Sequence, residues 1–160
     1  GVKGDIQITG VSLLDSAGNT AAAFATGSEM RVRIEYSTTR PVQNAAFALD
    51  IHRGDGIYCA GISTIIDQRS VGTLNGTGAV ELGLRQLSLL PGCYLISVGI
   101  LDANDGRTLD LQLRAFPFSI TSDRRDLGVV LIDHSWTIDA EAAPKLREVV
   151  RRDERALVAG

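Results

Sequence analysis

The chain has 160 residues, 44% of them apolar and 22% charged, the size and composition of one ordinary soluble domain with a substantial core. A formal net charge of −3 argues against a grip on nucleic-acid phosphates, which relies on an excess of Lys and Arg. No uncharged apolar run approaches the roughly 20 residues that cross a bilayer, and no basic segment leads into a short apolar stretch, so neither a membrane span nor a signal peptide is legible.

Period-two alternation broken by Gly, Asn and Asp dominates, which predicts an all-β domain. Ile6 to Leu14 opens with alternating Ile6 and Ile8, breaks at Gly10 and ends in the turn Asp15-Ser16-Ala17-Gly18-Asn19. Met30, Val32, Ile34 and Tyr36 alternate with Arg31, Arg33, Glu35 and Ser37, giving one core face and one charged face. Phe47, Leu49 and Ile51 alternate likewise with Ala48, Asp50 and His52, before Gly54-Asp55-Gly56 reverses the chain into Ile57 to Thr64. Past Asn75-Gly76-Thr77-Gly78, the residues Val80, Leu82 and Leu84 form the next inward face. Tyr94, Ile96, Val98 and Ile100 follow, and Asn104-Asp105-Gly106 turns them into Leu109 to Ile120, with Phe116 and Phe118 available to the core.

A last strand is predicted at Val129 to Trp136, after a flexible linker from Thr121 to Gly128. It would place Val130 and Ile132 in the core, with His134 and Trp136 as packing residues beside them. Eight such segments suit an immunoglobulin-like antiparallel β-sandwich. Residues 140–160 change character: Leu146, Val149, Val150 and Leu157 recur at helical spacing, and Pro144 suits a helix start. The expected organisation is therefore a sandwich over 1–139 and a short helical or flexible tail over 140–160. Beginning at Gly1, with its one methionine at Met30, the chain reads as a piece of something longer.

Leu90-Pro91-Gly92-Cys93-Tyr94 is the most informative short stretch. A Tyr just after a Pro-Gly corner, near the start of a late strand, turns its ring into a Greek-key core and its hydroxyl onto nearby backbone. Cys59 and Cys93 read as free thiols in a reducing compartment; an inter-sheet disulfide would need Cys59 on a strand facing Cys93.

Several suggestive motifs have ordinary explanations. Arg53-Gly54-Asp55 is a hairpin turn before it is an adhesion tripeptide. Asp102, Asn104 and Gly106 resemble a calcium loop, but Leu113 stands where the bidentate Glu belongs. Gly61-Ile62-Ser63-Thr64-Ile65 lacks the second Gly of a nucleophile elbow. His52 and His134 lie on different segments, and no His/Cys/Asp set has metal-ligand spacing. There is no P-loop. Asp50 with Asp110, or Glu35 with Glu81, could meet on a sheet face, but acid–base work needs a cleft and separated pKa values. The expectation is a domain without catalysis, cofactor or metal.

The order of segments resembles a known family. Asp5-Ile6-Gln7-Ile8-Thr9-Gly10-Val11, Phe24-Ala25-Thr26-Gly27 before the strand from Arg31 to Tyr36, Pro41 and then Phe47-Ala48-Leu49-Asp50-Ile51, and Asp55-Gly56 carry the first half. Leu89-Leu90-Pro91-Gly92-Cys93-Tyr94, Ser97-Val98-Gly99-Ile100, Phe116-Pro117-Phe118 and Gly128-Val129 through His134-Ser135-Trp136 carry the second. Together they resemble the C-terminal domain of Wzt-type ATP-binding subunits of O-antigen polysaccharide ABC exporters, over about residues 5 to 136.

The resemblance implies a cytoplasmic module fused behind an ATP-binding domain, working as a pair and reaching the membrane-spanning transporter subunit through that domain. It also implies recognition of completed, often end-modified, O-antigen polysaccharide. A homodimer is expected, the last strand pairing with a partner's sheet edge. Two other classes stay open: a structural or dimerising sandwich that touches no glycan, and an accessory module of a carbohydrate-active enzyme.

Sugars are held by planar polar side chains and aromatic faces, which points to the outer face of the sheet with strands at 46 to 53, 95 to 101 and 110 to 114. Alternation assigns outward positions to Asp50, His52, Ser97, Gln112 and Arg114, around small Ala46, Ala48 and Gly99, and Tyr58 supplies the stacking ring. The alternative is that these are ordinary solvated residues of a half-exposed sheet. The opposite face, with Arg31, Arg33, Glu35, Glu81 and Arg85, is more charged and suits a neutral sugar less well.

Overall fold

The computed structural model describes residues 4–139, all strands, turns and loops, so the helix expected over 140–160 lies outside the described residues. Eight strands form, β1 (Ile6–Leu14), β2 (Ala23–Ala25), β3 (Met30–Thr38), β4 (Ala45–Arg53), β5 (Tyr58–Ser63), β6 (Thr77–Leu84), β7 (Gly92–Asp102) and β8 (Thr108–Thr121). They divide into a three-stranded sheet, β1-β3-β6, and a five-stranded sheet, β2-β8-β7-β4-β5.

The apolar half of each alternating strand fills the space between the sheets. Met30, Val32 and Ile34 from one sheet meet Phe47, Leu49, Ile51, Ile96, Val98 and Ile100 from the other, all buried. Tyr94 makes the expected corner: its ring stacks on Phe118 at 5.4 Å between centroids, and its hydroxyl donates to the Leu90 carbonyl. Burial raises the Tyr94 phenol above its ordinary pKa, because the core disfavours the phenolate. Both cysteines are free thiols.

Three departures from simple alternation matter. β2 is a short parallel partner of β8, anchored by Phe24 edge-on to Phe118 at 6.2 Å; three residues are too few to show a period. In β1 the register shifts between Ile8 and Gly10, and the Ile8 amide is met instead by Asp110 Oδ2 at 2.7 Å. In β8 the register against β7 shifts across 113–115, where Arg114 takes a φ of 50°.

The last strand expected at Val129 to Trp136 does not form. Val130 bridges Leu89, with Leu90 N–H donating to Val129 and Leu131 N–H donating to Ser88, each at 2.8 Å. Beyond that the chain has no ladder, because the neighbouring segment bends at Arg85 and Gln86 and offers no straight edge. Val130 and Ile132 are exposed rather than core, His134 and Trp136 are not packing residues, and Trp136 is 84% exposed. The alternation supplied a strand's side-chain pattern without a backbone partner for it.

Candidate functional site

The cross-strand register lays out the outer face of the five-stranded sheet in rows. Ser63, Ala48, Gly99 and Leu111 form one row, Gly61, Asp50 and Ser97 the next, and Tyr58, His52, Leu95 and Pro117 a third. Residues directly opposite share a face, so this side carries Asp50, His52 and Tyr58 together.

The tyrosine hydroxyl donates to Asp50 Oδ1 at 2.8 Å. To reach it, the phenol lies across Gly61: a Cβ there would fall 1.9 Å from the hydroxyl and 3.0 Å from Asp50 Oδ1. Only a residue without a side chain permits that approach. The His52 ring packs edge-on to Tyr58, 5.0 Å between centroids, and its Nδ1 is buried without a hydrogen-bond partner. The bond to Asp50 raises the Tyr58 phenol above its ordinary pKa, with burial and the carboxylate's charge adding to it. The result is a carboxylate, a phenol and an imidazole held at fixed spacing beside the small residues Ala48 and Gly99.

The other expected site residues fall differently. Ser97 is 3% exposed, because the β8 bulge closes over it and the Arg114 N–H donates to its Oγ at 2.8 Å. Gln112 pairs with Val98 and therefore shares the core-facing side, half-buried, instead of pointing outward. Arg114 is exposed, but on the bulge of β8, with β7 between it and the Asp50 column. Leu111 and Leu113 take the outward places that alternation had given to Gln112 and Arg114, and they are 50% and 66% exposed. Gly61 was also missed, although a glycine inside a strand is a recognised signal of close approach.

Asp50 and Asp110 serve separate bonds, one to Tyr58 and the other to Ile8. On the opposite sheet Arg31 pairs with Glu81 at 3.3 Å and Arg33 with Glu35 at 3.7 Å, ordinary surface ion pairs. Among the described residues no cluster of three or more His, Cys, Asp or Glu could hold a metal. A cleft of about 720 Å³ opens between the edge strands β5 and β6, but its floor is core, chiefly Ile34, Phe47, Leu49 and Val80.

A model of the Wzt C-terminal domain matches residues 2–132. The chain belongs to the Wzt C-terminal domain family. It is therefore a domain of the Wzt transporter subunit. The crystal structure of the C-terminal domain of Wzt superposes with a TM-score of 0.78 at 15% identity, over 85% of each chain. A calcium-binding mutant of Bacteroides uniformis beta-glucuronidase 2 matches at a TM-score of 0.50 and 13% identity, over 68% of this chain and 14% of that one. That likeness is one of fold alone. No curated protein sequence matches significantly. The Wzt family assignment agrees with the immunoglobulin-like all-β architecture and the segment order of the sequence.

Proposed function

We propose that this Wzt domain is a non-catalytic polysaccharide-binding module that recognises O-antigen glycan for export through the outer face of its five-stranded sheet. The observation that carries the reading is the Asp50–Tyr58–His52 group, locked over Gly61 beside a floor of small residues. An aromatic face for the sugar ring and planar polar groups for its hydroxyls stand there at fixed spacing. The cleft between β5 and β6 is the alternative surface, yet its one aromatic ring, Phe47, is already buried in the core.

The module works in the cytoplasm, tethered through an ATP-binding domain to the membrane-spanning transporter subunit, and it needs no cofactor. It acts as a homodimer. Support comes from the extended segment after Val130, whose Ile132, Trp136 and Ile138 alternate and are all exposed, a surface that a second copy can cover. Two weak sites engaging one repeating polymer gain through effective concentration.

Calorimetry with O-polysaccharide tests the reading: Tyr58→Ala and His52→Ala are expected to weaken binding at least fivefold, and Arg31→Ala to leave it unchanged. Loss of binding on Arg31→Ala with Tyr58→Ala unaffected would place the glycan on the wrong sheet for this proposal. A monomer mass by light scattering at high micromolar concentration would remove the dimer. The exposed segment also suits a purely dimerising module, and a chain that dimerises while binding no glycan would establish that reading instead.

A further inference from the structure

Resting on that carbohydrate reading, we infer that the outer face takes a neutral 6-deoxy sugar and seats its methyl group against Leu111 and Leu113. Leu111 lies over Gly99, where a Cβ would meet its Cδ1 at 3.5 Å. Leu113 follows two positions along the same strand, so both leucines stand on a face whose reverse side already supplies the core. Exposed large apolar side chains grouped in this way mark a contact surface.

Opposite them stand Asp50, Tyr58 and His52. One strand, β7, separates β8 from β4, so the strand that carries Asp50 and His52 runs two inter-strand spacings, about 10 Å, across the sheet from the leucines, with Tyr58 reaching Asp50 from β5 beyond it. Between them β7 supplies the floor, Gly99 and Ser97, whose hydroxyl is occupied beneath the bulge, with half-buried Leu95 in the His52 row and Ala48 next to Gly99 on β4. A sugar lying across this floor meets hydrogen-bonding groups at one edge and hydrocarbon at the other. A hexose would press its 6-hydroxyl against leucine side chains that offer it neither donor nor acceptor, whereas a 6-deoxyhexose presents a methyl group. The charged group in the polar wall, Asp50, is itself a carboxylate, which disfavours an acidic sugar.

The test is titration calorimetry of the whole chain with matched trisaccharides, manno against rhamno and galacto against fuco, each pair differing only in the hydroxyl on carbon 6. The 6-deoxy member of at least one pair is expected to bind tighter by about four- to tenfold. The combined change Leu111→Ser and Leu113→Ser, at exposed positions, is expected to abolish that advantage by weakening the 6-deoxy member, whose methyl group loses its apolar contact. Equal affinity within both pairs, with binding still lost on Tyr58→Ala, overturns this inference and leaves carbohydrate binding standing. An advantage that survives the double substitution, or tighter binding of the hexuronic counterpart through Arg114, overturns it as well. No binding by any member, while the O-polysaccharide still binds, overturns this inference alone; no binding by the O-polysaccharide either overturns both readings.

Discussion

Replacing Gly61 by Ala isolates the Tyr58–Asp50 contact without touching either partner. The added methyl would stand 1.9 Å from the phenol oxygen and 3.0 Å from Asp50 Oδ1, so the tyrosine ring must swing away and its bond must break. Gly61 does not have a positive φ, so the backbone accepts alanine. Losing an exposed hydrogen bond costs about 0.5–1 kcal/mol, and alanine in a strand returns about as much through the unfolded chain. The melting temperature is therefore expected to stay within a few degrees of the parent.

The phenol should respond much more. With Asp50 no longer accepting its proton, Tyr58 is expected to titrate closer to its ordinary value of 10.0, read by NMR of ring-labelled tyrosine. The sign follows from linkage. A phenol raised in the folded state stabilises the fold fully below its ordinary value, and that contribution fades as pH rises through the folded value. The alanine variant should thus lose part of the parent's stability dependence on pH at the alkaline end. Glycan affinity should fall as it does for Tyr58→Ala. A Tyr58 titration identical in Gly61→Ala and parent would refute the placement of the phenol over Gly61.

Ser97→Ala removes the acceptor of a part-buried backbone amide and is expected to cost about 1–2 kcal/mol in urea unfolding, whereas Arg114→Gly, which relieves a left-handed φ, should gain about 1 kcal/mol. Tyr94→Phe leaves the Leu90 carbonyl without its buried partner and should destabilise by about 1–3 kcal/mol, visible as a lower midpoint with an unchanged m-value. Asp110→Ala orphans the Ile8 amide at the β1 bulge; about 1–2 kcal/mol of lost stability is expected, and faster hydrogen exchange at Ile8 would report it locally.

Strands with a strict period were legible because one face of each is buried, and a one-residue slip would exchange core for solvent. That held for β3, β4 and β7, and it grouped β4, β7 and β8 correctly in one sheet. The Pro-Gly corner and Tyr94 were readable for the same reason, since turn and core grammar is local. The bulge in β8 was not readable. Nothing in Leu113-Arg114-Ala115 announces a positive φ at an arginine, and the shift is set by what Ser97 offers across the ladder. The bulge buries Ser97, but by setting three residues against one it leaves the parity of the strand unchanged: alternation carried back from Phe118 and Phe116 puts Gln112 inward and Leu111 and Leu113 outward, so Gln112 was legible from those two core rings. The segment after Val129 failed differently, because period two specifies which face a strand buries and not which backbone it pairs with. Asp50, His52 and Tyr58 came together because both flanking strands are joined by the short turn at Gly54-Asp55-Gly56, which keeps neighbours in sequence close in space.

Carbohydrate recognition by the outer face is tested most directly by mapping backbone amide shifts of the labelled chain during titration with O-polysaccharide. Perturbations are expected to concentrate at Ala48, Asp50, His52, Tyr58, Gly61 and Gly99, with the amides of Arg31, Arg33 and Glu81 unmoved. Shifts confined to the three-stranded sheet, or to the cleft between β5 and β6, would contradict it.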